Sequence, residues 1–328
     1  MTKVVYITGC LGFIGSYITR TCLELGWYVK GVDKMTYASN RNLLTEFKKH
    51  PNFSFVKCDI NDLEFLYECD YVINTAAETH VGNSIVKSDE FVHSNVNGVH
   101  HLLELIRNYR GENKNKPILI HFSTDEVYGD VTEGEHIETD TLKPSNPYSA
   151  TKAAADQLIL AWARTYNLPY VIVRPTNNYG TGQYVEKLIP KSCKYLKLGK
   201  KIPLHNEGTP IRNWLHAQDT ADAVITIIKN MDEHVVNHIY NIAGGFEQSN
   251  LDTVNKIITL YNNEDAIDPY TYKEDLYNYL DLSYLRQGQD ARYALNDEKL
   301  RGLGWEPKKN FNQELPKIIK YYKEKFIW

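Results

Sequence analysis

Short apolar runs that alternate with longer helical patterns constrain the fold of this chain most. In the first half, six β-rich runs lie at 4–8, 28–33, 53–57, 71–75, 118–122 and 170–174. Helical patterns fall between them at 13–25, 91–109 and 150–166. Strands that alternate with helices build βαβ units, and strands buried on both faces are mostly apolar, as these are. The pattern therefore predicts an α/β fold, with a doubly wound parallel sheet covered by helices on both faces.

After about residue 176 the pattern becomes less regular, and prolines and glycines are frequent. We expect residues 1–175 to form the sheet domain. Residues 176–328 are expected to form mainly a smaller C-terminal lobe, which lies over the carboxyl ends of the strands and binds the substrate. Parts of the later chain are expected to rejoin the sheet.

The composition excludes several classes of function. The 328 residues carry a formal net charge of −4, which gives no basic patch for nucleic acid. No apolar run approaches the roughly 18 residues that span a bilayer, and the beginning of the sequence does not resemble a signal peptide. The 5 cysteines form no C-x-x-C pair, which favours reduced thiols in a cytoplasmic protein without a metal site.

A glycine-rich turn follows the first predicted strand and opens the first predicted helix. Gly9, Gly12 and Gly15 are spaced three residues apart, with Phe13 and Ile14 between the last two. Glycines at such positions allow a tight turn, a close approach of the backbone to a pyrophosphate and close packing of helix on strand. The helix N-terminus offers free N–H groups to phosphates. The context predicts a dinucleotide site in a Rossmann-type domain.

Carboxylates close the second and third predicted strands. Asp33 lies where a side chain accepts hydrogen bonds from an adenosine ribose and repels a 2′-phosphate, so the cofactor is expected to be NAD rather than NADP. Asp59 and the following Ile60 come after the third strand, where they are expected to lie near the adenine.

Tyr148 and Lys152 lie one helical turn apart, so their side chains project from the same face. A neighbouring ammonium lowers the pKa of a phenol toward neutrality, which makes the phenolate a usable base. Lys152 is also expected to hydrogen-bond the nicotinamide ribose. The pair follows a dinucleotide-binding pattern and a strand that ends at Ser123 and Thr124, and this context favours a catalytic role over a surface helix.

Several motifs resemble one family over nearly the whole chain. They are Thr-Gly-x-x-Gly-Phe-Ile-Gly-Ser at 8–16, Ala-Ala-Glu-x-His-Val at 76–81, Ser-Thr-Asp-Glu-Val-Tyr-Gly at 123–129, Pro-Tyr-Ser-Ala-Thr-Lys-Ala at 147–153, Asn-Asn-Tyr-Gly at 177–180, Glu-Lys-Leu-Ile-Pro at 186–190 and Arg-Asn-Trp at 212–214. The chain is similar to the extended short-chain dehydrogenases/reductases. Within that group it resembles the nucleotide-diphosphate-glucose 4,6-dehydratases of the dTDP-glucose type.

The resemblance implies a reaction with assigned residues. Oxidation of C4 of the hexose to a ketone makes the C5 proton removable, and water can then leave across C5–C6. Tyr148 would act as the base at the 4-hydroxyl, and Thr124 would hydrogen-bond the same oxygen. Glu126 would remove and later return the C5 proton, while Asp125 would protonate the departing 6-hydroxyl. Two adjacent carboxyl groups with these roles need surroundings that separate their pKa values.

The resemblance also implies a set of substrate-binding residues. Arg212 and Arg286 would bind the diphosphate, because a guanidinium suits bidentate contact with phosphate. Asn177 would bridge to the diphosphate, and Lys187 lies in a stretch that lines the nucleotide in relatives. Ser84 is assigned to the substrate side as well.

Two departures from the family leave the nucleotide base open. Gly82-Asn83 stands where Asp-Arg is common, and Gln289 stands where His is common. The substrate is therefore expected to be a dTDP- or UDP-hexose, with glucose and an N-acetylhexosamine both open.

Three other functions are considered. A sugar-nucleotide 4-epimerase and a glucuronate decarboxylase share the predicted fold, and a catalytically inactive sensor or scaffold would be of a different class. Asp125 discriminates against the first two, because family members with those activities carry other groups there. An inactive member would have lost the tyrosine, the lysine or the acid pair.

Two helical patterns, at 91–109 and 150–166, leave apolar side chains beyond the needs of one sheet face. Leu158, Ile159 and Trp162 are the clearest examples. Relatives pair these helices across a two-fold axis, so a homodimer is expected.

Overall fold

The computed structural model describes residues 2–111, 115–263 and 276–325. Its strands are β1 (Val4–Thr8), β2 (Tyr28–Asp33), β3 (Phe53–Lys57), β4 (Tyr71–Asn74), β5 (Ile118–Phe122), β6 (Tyr170–Pro175), β7 (Asn177–Tyr179), β8 (Ile202–His205), β9 (Ile211–His216), β10 (His238–Ile242), β11 (Glu247–Ser249) and β12 (Leu280–Tyr284). All six strands predicted for the first half are present.

The helices fall between the strands much as the sequence pattern predicts. They are α1 (Phe13–Glu24), α2 (Arg41–Phe47), α3 (Val81–Val86), α4 (Asp89–Phe91), α5 (Gly98–Arg107), α6 (Pro147–Tyr166), α7 (Leu188–Lys197), α8 (Ala217–Lys229), α9 (Asn250–Asn262), α10 (Glu298–Arg301) and α11 (Phe311–Glu324). The single helix predicted over 91–109 is interrupted, because a π-helical segment, Val92–Asn97, separates α4 from α5.

The large sheet has seven parallel strands in the order β10-β6-β5-β4-β1-β2-β3. From β1 the chain adds strands first on one side, through β2 and β3, and then on the other, beginning with β4. The order therefore reverses between β1 and β4. A crevice forms at such a point beyond the carboxyl ends of the strands, and ligands bind there in doubly wound sheets. The predicted α/β fold of the Rossmann type is confirmed.

Two apolar layers cover the faces of this sheet. One contains α1 and α8, and buries Ile18, Val224 and Ile228 against the strands. The other contains α5 and α6, and buries Leu102 and Ile159. Both faces are therefore inside, which explains the nearly continuous apolar strands.

The later part of the chain divides its elements between the sheet and a smaller lobe. β10 forms the edge strand beside β6, and α8 packs on α1. The lobe contains the three-stranded sheet β11-β9-β7 and the pair β12-β8, with α7, α9 and α11 packed together. The division of the chain at residue 175 stays a prediction. Over the described ranges, no helix is long and apolar enough to cross a membrane.

Candidate active site

The glycine turn lies at the reversal point of the sheet and connects β1 to α1. Gly9 has a φ of +70°, and a Cβ there would approach the backbone nitrogen of Ala76 to 2.8 Å. A Cβ on Gly15 would overlap the carbonyl oxygen of Gly9. Both positions therefore need glycine, the first for its backbone conformation and the second for close packing of α1 on the turn.

A cavity opens directly in front of this turn. Its wall contains all but one of the predicted cofactor residues: Gly9, Gly12, Phe13, Ile14, Gly15, Asp33, Asp59, Ile60 and Tyr148. The exception is Lys152, which does not reach the wall. The reaction-centre residues Thr124, Asp125 and Glu126 line the same cavity. The structure thus brings the glycine turn and the acid pair to one space.

The two acidic side chains at the far end of this cavity are held in place by hydrogen bonds. Asp33 is buried, and its carboxylate accepts from the Leu11 and Met35 N–H groups at 3.1 and 2.7 Å and from the Ser39 hydroxyl at 2.7 Å. Asp59 lies 3.4 Å from the Lys34 ammonium. Burial alone would raise the pKa of Asp59, but hydrogen bonds from Asn61 and the charge of Lys34 bring it below its usual value.

The acid pair follows β5 in a single 3₁₀ turn, Asp125–Val127, which Thr124 caps. Asp125 is 2% exposed, and its Oδ1 accepts from the Thr124 hydroxyl at 3.0 Å. Its Oδ2 is buried and has no hydrogen-bond partner among the described residues. Burial first, and the neighbouring Glu126 second, raise the pKa of Asp125 to about 7. Asp125 can therefore hold a proton near neutral pH.

Glu126 has different surroundings from its neighbour in the chain. It is more exposed than Asp125, and its Oε2 accepts from the Asn146 amide at 3.4 Å. Burial raises the pKa of Glu126, while the Arg212 and Lys187 charges oppose that rise. Two cations and the Asn146 amide thus favour the carboxylate form of Glu126. At Asp125 the charge of Glu126 opposes the similar effects of Arg212 and the Thr124 hydroxyl.

Tyr148 reaches this centre from the first turn of α6, but the expected lowering of its pKa is wrong for the structure. Burial, and then the charge of Glu126, raise the pKa of the phenol well above its usual value. The Lys152 amine gives no compensation, because it lies 3.4 Å from His121 Nε2 instead of facing the phenol. Burial lowers the pKa of Lys152 itself to about 8.

A second cavity adjoins the first beneath the lobe. Both cavities are lined by Thr79, Glu126, Asn177, Asn178, Gln183, Glu186 and Lys187. Glu126 therefore stands at the boundary, with the glycine turn on one side and the lobe on the other. A molecule in each cavity would meet beside the acid pair.

The second cavity is rich in cations. Arg212 and Arg286 line it, as predicted, and Lys187 and Lys191 extend from the turn before α7 and from its first turn. Arg212 is fixed by hydrogen bonds to the carbonyls of Ile211 and Asp290 at 2.7 and 3.1 Å. Lys187 donates to the Thr79 carbonyl at 2.9 Å. The arrangement suits a ligand with more than one negative charge.

The assignment of Ser84 to the substrate side is not supported by the geometry. Ser84 is 1% exposed and lines neither cavity. Its hydroxyl donates to the Val81 carbonyl at 2.7 Å and accepts from the Tyr148 N–H at 3.2 Å. Ser84 therefore holds α3 against the start of α6, and this depends on packing that the sequence does not display.

The sequence pattern missed three residues that the structure brings to the centre. Lys191 lies four residues after Lys187, and that spacing could have suggested a shared helical face. Asn146 caps α6 and donates to Glu126. His121, inside β5, contacts Lys152 and carried no signal in the sequence.

Fold and site together define an enzyme of the dinucleotide-dependent short-chain dehydrogenase/reductase class, with an added carboxyl pair. Comparison with known proteins then narrows this class. The family model described as GDP-mannose 4,6 dehydratase matches residues 6–318, and the chain belongs to this family.

Relatives agree with the family. The dTDP-glucose 4,6-dehydratase of Haemophilus influenzae is 38% identical, over 97% of each chain. A trifunctional Arabidopsis thaliana enzyme that includes a UDP-glucose 4,6-dehydratase is 38% identical over 99% of this chain and 48% of its own. Among solved structures, the dTDP-glucose 4,6-dehydratase of Streptomyces venezuelae, with NAD bound, has a TM-score of 0.87 and 32% identity, covering 98% of this chain and 97% of its own.

Proposed function

We propose that this protein dehydrates a nucleotide-diphosphate glucose, dTDP-glucose or UDP-glucose, to the 4-keto-6-deoxy sugar nucleotide with NAD as cofactor. The observation that carries the proposal is the boundary between the two cavities. There Glu126 lines both cavities, with Asp125 and Tyr148 in the wall of the first, and the two carboxyl groups have different surroundings. A simple oxidoreductase needs the tyrosine but not this acid pair. The family and its dehydratase relatives support the same reaction.

The residues present fit NAD. The glycine turn lines the first cavity together with the N-terminus of α1, which Gly12 caps, so backbone N–H groups can face a pyrophosphate there. Asp33 offers a buried carboxylate to an adenosine ribose, and Asp59 and Ile60 line the end suited to adenine. When bound, NAD supplies reversible hydride acceptance at C4 and hydride return to C6.

The residues of the chain would handle the protons of the reaction. Tyr148 would take the proton of the 4-hydroxyl, with Thr124 hydrogen-bonding that oxygen. Glu126 would remove the C5 proton as a carboxylate, and Asp125 would donate its proton to the departing 6-hydroxyl. Asp125 is suited to the acid role, because its pKa of about 7 leaves it protonated for part of the time at neutral pH.

The substrate would lie mainly in the second cavity. Arg212 and Arg286 would bind the two phosphates, with Lys187 and Asn177 at the boundary toward the sugar. Asn177 lines both cavities, so its side chain is placed to meet a ligand at their boundary. Lys191 would add a further positive charge at the nucleotide end.

A homodimer in the cytoplasm completes the proposal. The outward side of α6 carries Ala154, Leu158 and Ala161, and Val92 beside it is 43% exposed. Apolar side chains that lie exposed next to one another mark a surface for contact with another protein. Ile159, expected to be available for pairing, is fully buried in the monomer and does not contribute.

The proposal is tested by mass spectrometry. The purified protein is incubated with dTDP-glucose and with UDP-glucose in separate tubes, with and without added NAD. Loss of one water from either substrate is expected, and the faster tube identifies the preferred base. Glu126→Gln should abolish water loss, whereas Glu133→Gln, which removes an exposed carboxylate far from the cavities, should not.

Two results would contradict the proposal. Inversion at C4 without a change in mass would indicate an epimerase. No reaction with either substrate, with NAD present, would mean that glucose nucleotides are not the substrate.

A further inference from the structure

A row of polar side chains crosses the otherwise apolar large sheet. Thr8 on β1, Asn74 on β4 and His121 on β5 are register partners on neighbouring strands, and each is at most 1% exposed. The Thr8 hydroxyl lies 2.6 Å from Asn74 Oδ1, and Asn74 Nδ2 lies 3.0 Å from His121 Nδ1. We refer to these three residues as the polar ladder. Burying three polar side chains costs free energy unless they form hydrogen bonds, and the bonds along the ladder offset this cost.

Lys152 contacts the last residue of the polar ladder. Its Nζ lies 3.4 Å from His121 Nε2, and the side chain is 3% exposed. Contacts therefore continue without a break from Thr8, which directly precedes the glycine turn, through the polar ladder to Lys152, one helical turn after Tyr148. No residue of the ladder lines either cavity.

The direction of the hydrogen bonds along the ladder decides which protonation state of Lys152 fits His121. The Thr8 hydroxyl donates to Asn74 Oδ1, so the Asn74 amide group turns its Nδ2 donor toward His121 Nδ1. A neutral imidazole that accepts at Nδ1 carries its proton on Nε2. Nε2–H then faces Lys152 as a donor, which matches a neutral amine better than an ammonium. If the amide of Asn74 turns over, every bond reverses and Nε2 accepts from the ammonium.

We propose that His121 is a positioning residue, which holds the Lys152 amine behind Tyr148 and passes to it the hydrogen-bond direction set at Thr8. This inference rests on the proposed function, because it concerns how the proposed base is activated. Only with the ladder reversed can His121 Nε2 accept from a Lys152 ammonium, so only then can the buried lysine keep its charge in the neighbourhood of Tyr148. The contact with His121 explains why, in the described part of the chain, Lys152 is not among the groups that act on the Tyr148 phenol, although it lies only four residues away.

The other charged groups around Lys152 are accounted for. Asp156 lies one turn further along α6 and raises the pKa of Lys152, while burial lowers it to about 8. The Arg174 guanidinium on β6 lies 2.9 Å from the Asp156 carboxylate. This ion pair reduces the effect of Asp156 on Lys152. On the reaction side, Glu126 and Asp125 face Tyr148 and oppose its ionisation. Burial first, and then the positive charge that Lys152 carries when protonated, lower the pKa of His121 well below its usual value, so His121 remains neutral.

Two substitutions of His121 test the two imidazole nitrogens one at a time. In His121→Gln the terminal amide replaces Nε2 and keeps a partner for Lys152, whereas in His121→Asn it replaces Nδ1 and keeps only the contact with Asn74. For each variant, kcat/KM for water loss and the Kd for NAD of the cofactor-free protein are measured from pH 5.5 to 9.5. The Kd gives a readout that does not depend on turnover. His234→Asn, at an exposed histidine, is the control.

In His121→Asn no group at the Nε2 position can accept from a Lys152 ammonium, even with the ladder reversed, so the neutral amine is favoured. The acid limb of the kcat/KM profile is expected to move to higher pH, and NAD binding near pH 7 to weaken by about tenfold, the size of one lost hydrogen bond. In His121→Gln the amide oxygen can accept from the ammonium. The acid limb of its kcat/KM profile is therefore expected at the same pH as in the wild type or at lower pH. The control should retain the wild-type profile.

Equal shifts in His121→Asn and His121→Gln would indicate only a packing role and would overturn the proposal, as would unchanged profiles in both. If His121→Asn does not fold, Thr8→Val tests the other end of the ladder. It removes the bond that orients Asn74, so the acid limb should move to lower pH, and an unchanged limb would overturn the proposal. A wild type that binds NAD but dehydrates no substrate would refute the proposed function, and the Kd profiles would still decide on His121.

Discussion

Asp125 and Glu126 are consecutive residues, yet their surroundings separate their tasks. Asp125 is buried with one carboxylate oxygen that has no partner in the described part of the chain, and burial raises its pKa to about 7. Glu126 faces the cavity boundary, where Asn146, Arg212 and Lys187 favour its charged form. A proton donor and a proton acceptor side by side require such a difference.

Replacement of Asp125 by Asn should slow the loss of water. The amide keeps the shape of the side chain but has no proton to give to the leaving hydroxyl, so kcat should fall by about 10²- to 10⁴-fold. NAD affinity should be unchanged, because the cofactor cavity keeps its glycine turn. Rapid-quench mass spectrometry and a binding titration measure the two quantities, with Glu133→Gln as the matched control. A variant within threefold of the wild type would contradict the acid role of Asp125.

The same carboxyl group should make stability depend on pH. The pKa of Asp125 rises from its usual 3.8 to about 7 on folding. The folded state therefore binds this proton more tightly, and the free energy of unfolding should fall as the pH rises from about 4 to 7. Asp125→Asn removes this contribution, so its Tm relative to the wild type should be higher at pH 8 than at pH 5. Differential scanning calorimetry at both values tests the sign, and the opposite order would refute it.

At the level of elements, α6 connects the fold to the site. Asn146 and Ser149 form a capping box at its N-terminus, and the next residues after the cap are Pro147 and Tyr148. The same Asn146 side chain donates to Glu126. One residue therefore fixes where the helix begins, where the phenol lies and how the base is held. The predicted start at residue 150 was late, because the pattern of apolar residues does not include the cap.

Asn146→Ala should affect stability and activity together. Loss of the cap should lower the free energy of unfolding by about 1 kcal/mol, and loss of the bond to Glu126 should lower kcat. Asn310, which caps α11 with bonds to the Asn312 and Gln313 N–H groups, provides the matched control. Asn310→Ala should destabilise by a similar amount and leave kcat unchanged. Urea unfolding and steady-state kinetics measure both, and equal kcat values for the two variants would contradict the link to Glu126.

At the scale of the whole molecule, function depends on how the lobe meets the sheet. The lobe brings its cations to the carboxyl ends of the strands, and Lys187 spans the boundary through its bond to the Thr79 carbonyl. The return of β10 and α8 to the sheet ties the two parts together.

The outward face of α6 gives a test of the homodimer. Leu158→Arg places a charge in the proposed interface, so the protein should have the mass of one chain in light scattering at micromolar concentration, where the wild type has twice that mass. Leu198→Arg, at a residue that is 54% exposed on the lobe, should keep the wild-type mass. Circular dichroism checks that both variants fold. A monomeric wild type would refute the dimer.

Apolar periodicity and local chemistry by themselves determined much of this protein. The six early strands, the α/β class and the glycine turn follow from them, because parallel strands buried on both faces need continuous apolar runs and a tight turn needs glycine. Asp33, Asp125 and Glu126 were recognisable because Asp33 ends a strand and the other two lie in the turn that comes shortly after one.

The tertiary structure decided what depends on residues far apart in the chain. Ser84 points inward, Ile159 is buried in the core, and Lys152 on α6 contacts His121 on β5. The different surroundings of Asp125 and Glu126, the shared wall of the two cavities and the polar ladder also depend on contacts between residues far apart in the chain. Burial and pairing set these properties, and both are fixed by packing between distant segments, which no local pattern encodes.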